Sequence, residues 1–426
     1  MDGVSAREMM ASAYLSISVD PFDLSVLAGD FMPSAYLNRD PVRNQLYHWD
    51  TKELIPLAQT TWEDSYKAIA CLNAILERSL SSPPDYQYIQ VMAEVNQLKG
   101  WIYFNLLQLF STPYSDRQHP LGIILRNSTA EADAPRSTKE VCLEEIHRLF
   151  TVAETLYNSL PERYSYTNTY LTPTLLYAMW AEVYLYRRDY RKVIQMAENA
   201  QRLTPTKSLR LADIPRQSWQ TGEGALWIYP ITAQSFYRGV NASERTLPRL
   251  LQFTFLMAPN RCPSPSSPRH EKYTMQLEGF KQPVIGKYAR ILTNPEQSVQ
   301  AASVYRPPQI LYTKAEALIM TNRADEAARI IDGYTGYPTG IGSNKSTAEN
   351  LKLLQKDKLE EFVGEGKNYL DLKRWGLPCI LYNSNGTEEK TIQPNDYRFT
   401  WPIPPSERYN TYAPEQNPGW TTYVIL

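Results

Sequence analysis

The stretch Lys358–Gly376, KLEEFVGEGKNYLDLKRWG, sets acidic side chains, the closely spaced Gly364 and Gly366, and the Lys373-Arg374 pair beside several aromatic rings. Two readings compete for it. The carboxylates are either an acid–base pair of an enzyme or parts of a helical scaffold. A glycosidase pair must face its partner across a cleft, which neighbours on one helix do not readily do. On a helix and at its end, Glu361, Glu365, Asp371 and Arg374 instead fall at spacings where opposite charges pair and cap backbone groups. The glycines then permit a bend or a close approach. The scaffold reading is preferred, and no catalytic residue is assigned.

The remaining chain bears on the same choice. Its 426 residues carry a formal net charge of -1, with 43% hydrophobic and 21% charged residues. That balance suits a globular protein with a sizeable core and argues against a nucleic-acid partner, which a basic face would announce. The 30 Tyr and 9 Trp are an excess, but such rings serve cores and ligand-stacking surfaces alike. Cys71, Cys142, Cys262 and Cys379 lie far apart without a C-x-x-C, and His48, His119, His147 and His270 are as scattered. They predict no metal site, no disulfide framework, no His-based triad and no cofactor. No segment reaches the roughly 18 apolar residues that span a bilayer. The opening MDGVSAREMMASAYL lacks the basic-then-apolar pattern of an export leader. Composition leaves a cytosolic protein and a processed, exported one both open.

Helical periodicity dominates both ends. Trp62, Tyr66, Ile69, Ile75 and Leu76 mark one buried helix face, with Asn73 as a polar exception. After Pro83-Pro84 a second helix runs through Val91, Val95, Leu98, Ile102, Leu106 and Leu109 and stops before Pro113. Ser137-Thr138-Lys139-Glu140 has the pattern of a capping box that opens a third. Thr172–Leu203 reads as an antiparallel hairpin: Thr172 caps, Pro173 takes the first position where its missing N–H costs nothing, and Arg188-Asp189 turns. Gln309–Ile331 repeats the device with a turn at Thr321-Asn322-Arg323. Such units resemble tetratricopeptide repeats without their strict period. The expected fold is therefore all-α, about four helix pairs with minor β structure and no central sheet. Between the hairpins, Thr204–Ala301 is rich in Pro, Ser, Arg and aromatics, with one short strand at Gly224–Thr232. An insertion that long is usually functional. The expected layout is one domain over 1–426: helical scaffold at about 1–203 and 302–376, loop-rich ligand-binding subregion at about 204–301, irregular tail at 377–426.

KLEEFVGEGKNYLDLKRWG closely resembles the late signature of SusD-like (SusD/RagB) nutrient-binding lipoproteins, E-x-x-x-E-F-x-x-E-G-x-R-x-x-D-L-x-R-W. WPIPPSE from Trp401 and QNPGW from Gln416 resemble that family's closing PIP-x-x-E and QNPGY. WEDSYKAIACLNAIL from Trp62 and AEVNQLKGWIYFNLLQLF from Ala93 look like its first two helix hairpins, and YRPPQILYTKAEALIM from Tyr305 like a later helix. Departures are Tyr369 for Trp or Phe, Trp420 for Tyr, and Pro307, Pro308 and Gln309 in the later helix. The resemblance implies a non-enzymatic protein on the outer face of an outer membrane, held by an N-terminal lipid whose cysteine is not in this chain. It implies a SusC-like, TonB-dependent transporter as partner and an oligosaccharide or other nutrient as ligand. A peptide-binding member of the family is the alternative. Two rivals outside it are an intracellular helical-repeat scaffold for peptides, which leaves the PIP…QNPGW tail unexplained, and an α-helical glycoside hydrolase.

The family holds its ligands by no fixed motif, so candidates rest on chemistry. Tyr47 and Trp49 in NQLYHWD, and Trp219 in RQSWQTG, are rings with polar neighbours, either ligand platforms or packed anchors. Phe236, Tyr237 and Arg238 in QSFYRGVN combine stacking with a guanidinium. Trp227, Trp101, Trp180 and Trp375 are assigned to the core. From Phe236 to His270 the chain carries Arg238, Arg245, Arg249, Arg261, Arg269 and His270, with Glu244 as its one acid. The segment is either a basic loop balanced elsewhere or a seat for an anionic ligand.

Overall fold

Helices start where the sequence supplies caps. The structure, a computed structural model, describes residues 3–16, 21–34, 40–78, 85–130, 133–162, 165–204, 210–214, 219, 222–231, 255–287 and 300–421. Among the described residues there are thirteen α-helices. The first eight are α1 (Gly3–Ser16), α2 (Pro21–Leu27), α3 (Pro41–Tyr47), α4 (Thr51–Leu76), α5 (Tyr86–Phe110), α6 (Lys139–Asn158), α7 (Pro173–Arg187) and α8 (Tyr190–Leu203). The Asp50, Asp85 and Thr172 side chains accept from backbone N–H groups in the first turns of α4, α5 and α7, satisfying donors that have no partner within the helix. The α7–α8 hairpin turns as expected: Arg188 adopts a left-handed φ of 65° and Asp189 caps α8.

Five helices follow: α9 (Pro268–Tyr273), α10 (Pro308–Met320), α11 (Ala324–Thr335), α12 (Thr347–Glu361) and α13 (Asn368–Trp375). The α10–α11 hairpin turns at Asn322, φ 60°. One cap was misplaced by a residue. Thr138, not Ser137, caps α6 by accepting from the Val141 N–H, and Glu140 turns to the Tyr114 hydroxyl instead. The reciprocal capping box stands at Ser346 and Glu349, opening α12.

The ten strands of the described residues form five two-stranded antiparallel pairs and no central sheet. In chain order they are β1 (Phe31–Pro33), β2 (Leu121–Ile124), β3 (Arg136–Thr138), β4 (Trp227–Ile231), β5 (Phe255–Met257), β6 (Thr274–Met275), β7 (Val284–Ile285), β8 (Gln300–Tyr305), β9 (Cys379–Tyr382) and β10 (Glu388–Ile392). The pairs are β1–β5, β2–β3, β4–β8, β6–β7 and β9–β10. The insertion and the tail therefore hold more regular structure than expected. Strands of two to six residues are too short for alternation to show, and β1 finds its partner only in the insertion. One core cluster draws on buried side chains from Ala6 to Ile403. Trp101, Trp180 and Trp227 lie in it, and Trp375 packs half-buried against it. At the N-terminal end, Arg7 and the Tyr14 hydroxyl converge on the buried Glu94 carboxylate of α5, fastening α1 to the core.

Candidate functional site

Helix α12 ends at Glu361 because the next residues cannot continue it. Gly364 and Gly366 adopt φ of 75° and 72°, a left-handed backbone that glycine enters without penalty. A Cβ on Gly366 would lie 2.8 Å from the Pro21 Cα. The turn is fixed to the α2–β1 corner: Gly364 N–H donates to Asp30 Oδ2 at 3.0 Å and Gly366 N–H to Ser25 Oγ at 2.9 Å. Asn368 Nδ2 reaches Asp30 Oδ1 at 2.7 Å.

The turn aims Glu361 and Glu365 into a buried charge cluster built from three distant segments. Arg269 of α9 forks onto Asp357, Nη1–Oδ1 2.7 Å and Nη2–Oδ2 3.0 Å, and donates from Nε to Glu361 Oε2 at 2.8 Å. Arg306, just ahead of α10, donates to Glu361 Oε1 at 3.0 Å and to both oxygens of Glu365 at 2.7 and 2.9 Å. Lys287 Nζ donates to Glu365 Oε1 at 2.6 Å and to the Glu361 carbonyl. Three cations thus meet three carboxylates. Burial by itself would push the Glu361 carboxyl up, but Arg269, Arg306 and Lys287 outweigh it and hold it down at about 2. Burial pulls the Lys287 ammonium down to about 8, against the attraction of Glu365. A catalytic acid needs a raised carboxyl reachable by substrate; Glu361 is held ionised with 0% exposure.

The second half of the signature faces α5 and α10. Arg374 forks onto Glu316 at 2.5 and 2.8 Å and reaches Asp371 at 2.8 Å, the i,i+3 pair expected from sequence. Lys373 Nζ donates to the carbonyls of Gln108, Leu109 and Ser111 at 2.6, 3.2 and 2.8 Å. The tail completes that helix end: Trp401 N–H donates to the Leu109 carbonyl and Asn417 Nδ2 to that of Phe110. The cavity lined by Glu182, Lys367 and Asp371 measures about 60 Å³, far below the roughly 300–1,000 Å³ of small-molecule pockets.

The candidate ligand residues divide. Tyr47 and Trp49 are both 0% exposed and Trp219 is 1% exposed. In this structure none of the three offers a ring face to a ligand, and each has an internal partner instead. The Tyr47 hydroxyl donates to the Tyr382 carbonyl at 2.9 Å and accepts from the Tyr382 N–H. Trp49 Nε1 donates to the Leu27 carbonyl, and its ring meets Phe399 edge-on at 4.7 Å. Trp219 Nε1 donates to Glu365 Oε1 at 3.1 Å, and its ring covers Arg306 and Lys287, 5.0 and 5.3 Å from the centroid. Phe236, Tyr237 and Arg238 lie outside the described residues, as do Arg245 and Arg249. Of the basic run, Arg269 is spent on Asp357 and Glu361, and Arg261 on Asp30 at 3.3 Å. Those two charges are balanced internally. Sequence reasoning missed Arg269, Lys287 and Arg306 as a set, because nothing local marks cations whose partners lie over 50 residues away.

Among the described residues no group of three or more His, Cys, Asp or Glu side chains is arranged to hold a metal ion, and no helix is long and apolar enough to cross a membrane. Comparison with known proteins then places the scaffold. A family model described as "Starch-binding associating with outer membrane" matches residues 7–185, and one described as "SusD family" matches residues 187–420. No curated protein matches the chain. Among solved structures, a SusD superfamily protein from Bacteroides thetaiotaomicron VPI-5482 is 19% identical, with 98% of this chain and 100% of that one covered and a TM-score of 0.75. A SusD-like carbohydrate binding protein from Bacteroides vulgatus ATCC 8482 is 13% identical over 96% and 97%, TM-score 0.77. A laminarin binding SusD-like protein is 16% identical over 98% and 99%, TM-score 0.72. With its late signature, its helical scaffold and a family match over more than half its length, this chain belongs to the SusD family.

Proposed function

We propose that the protein binds a glycan at the cell surface without converting it and delivers it to a SusC-like, TonB-dependent transporter of the outer membrane. A lipid at the protein's N-terminal end would hold it there. The observation that carries the reading is the fate of the signature carboxylates. Glu361 and Glu365, the strongest sequence candidates for catalysis, are sealed into ion pairs with Arg269, Arg306 and Lys287. They serve to hold the insertion on the helices. A rigid scaffold that presents loops is the arrangement of a binding protein, and solved proteins of like fold include one that binds laminarin. Phe236, Tyr237 and Arg238 remain the ligand candidates in the insertion, and the helix pairs are the surface offered to the transporter.

A screen of the soluble protein against glycan and peptide arrays, with a hydrolysis assay on every hit, tests this reading. Binding to at least one glycan without release of shorter products is expected. Binding to peptides alone, or cleavage of a bound glycan, overturns it.

A further inference from the structure

The closing segment carries a feature that the signature does not use. Gln416 closes a loop by donating from Nε2 to the Ile403 carbonyl at 2.9 Å and accepting the Ile403 N–H at 2.7 Å. Within that loop the chain is held at each step. Glu407 accepts from Trp62 Nε1 and from Asn410 Nδ2. Asn410 also donates to the Ala134 carbonyl, and its Oδ1 accepts the Tyr412 N–H at 3.0 Å. Thr411 N–H donates to Asp133 Oδ2 at 2.9 Å. Ala413 N–H closes a tight turn on the Asn410 carbonyl, with Ala413 at φ 42°.

On this fixed loop Tyr409 is 76% exposed and Tyr412 is 58% exposed. Among the described large hydrophobic side chains they are the only two exposed ones within a few residues of each other; the others are scattered singly. A loop with this many anchors has paid its ordering entropy before a ligand arrives. Tyrosine offers the face of its π-system to a C–H surface and keeps a hydroxyl for hydrogen bonding. The C–H face of a pyranose ring, bordered by hydroxyls, is the complementary object. Among the described residues the exposed aliphatic side chain beside the pair is Ala413, a single methyl, where a protein interface would put a larger apolar core. The bonds from the Thr411 side chain and amide hold the Asp133 carboxyl below its usual range. That negative charge, bonded to Thr411 between the two tyrosines, disfavours a uronic or sulfated sugar.

We propose that Tyr409 and Tyr412 form a stacking site for a neutral oligosaccharide, an inference that rests on the glycan-binding reading above. Titration calorimetry of the whole chain with laminarin, soluble starch and polygalacturonate tests it, on the wild type, the double variant Tyr409→Ala/Tyr412→Ala, and Tyr409→Phe/Tyr412→Phe. Both side chains are exposed, so the melting temperature is expected to stay constant. The expected result is binding of a neutral polymer, indifferent to salt, that weakens at least about tenfold in the alanine variant. The phenylalanine variant should keep most of it. Wild-type binding of a neutral polymer that the alanine variant matches overturns this site and leaves the glycan-binding reading standing. Preference for polygalacturonate overturns the neutral assignment. Failure of the wild type to bind any of the three, while it binds another glycan, also overturns this site. Failure on every glycan overturns both readings.

Discussion

Arg269 and Asp357 form a two-pronged ion pair, 2.7 and 3.0 Å, between side chains 88 residues apart in sequence. The third prong of the same guanidinium holds Glu361. Removing a partner from a buried pair leaves an uncompensated charge, so Arg269→Ala should cost about 3–5 kcal/mol. Arg269→Lys should recover little, because an ammonium cannot reproduce the planar fork. Thermal unfolding measures both. An alanine variant as stable as the wild type would contradict the role assigned to the cluster.

Gly366 and Gly376 share a left-handed backbone, φ 72° and 66°, but not a neighbourhood. A Cβ on Gly376 meets open space, whereas one on Gly366 lies 2.8 Å from a backbone atom of Pro21. Gly376→Ala should cost only the conformational penalty of about 1–2 kcal/mol. Gly366→Ala must also displace the start of α2 and should cost more. Urea unfolding of the two variants ranks them, and the reverse order would show that the α2 corner yields freely.

The acid limb of stability should carry the mark of Glu361. Its carboxyl, against burial, is held at about 2 by Arg269, Arg306 and Lys287, compared with 4.5 in an unfolded chain. The folded value is the lower one, so the stabilisation is present above about pH 4.5 and fades as pH falls toward 2. Glu361→Gln should be less stable at neutral pH and show a flatter stability profile across that window. Parallel profiles for wild type and variant would refute the assignment.

Arg374 bonds Glu316 and Asp371, and the cavities it lines measure about 10 and 60 Å³. Arg374→Ala should lower the melting temperature while leaving glycan affinity per folded molecule unchanged. A stable variant that no longer binds would mean the signature is part of the ligand site.

The helices were legible because their signals are local. Thr172-Pro173, the Arg188-Asp189 turn and the Asn322 turn each act within one or two turns of chain. The Asp371–Arg374 pair was legible for the same reason. What escaped depends on distance. Tyr47 and Trp49 have polar neighbours in sequence yet are buried, because Tyr382 and Leu27 supply hydrogen-bond partners from elsewhere. Polar flanks mark a loop, and a loop can still be core. The strand β5 becomes a strand only when β1 lies beside it. The paired tyrosines of the tail were not distinguished in the sequence, since exposure is a property of the folded surface.

The end of α5 depends on residues made much later. Its last carbonyls are met by Lys373, by the backbone of Trp401 and by Asn417, the last of these some three hundred positions downstream. A chain emerging from the ribosome or crossing a membrane N-terminus first has Arg136 on the Phe110 carbonyl early, but lacks the other partners of this helix end until Lys373, Trp401 and Asn417 have appeared. Final closure then waits for Asn417. Chains cut before Asn417 should stay more open to proteases near Phe110, and a nested series of truncations would show protection rising as Lys373, Trp401 and Asn417 are each included.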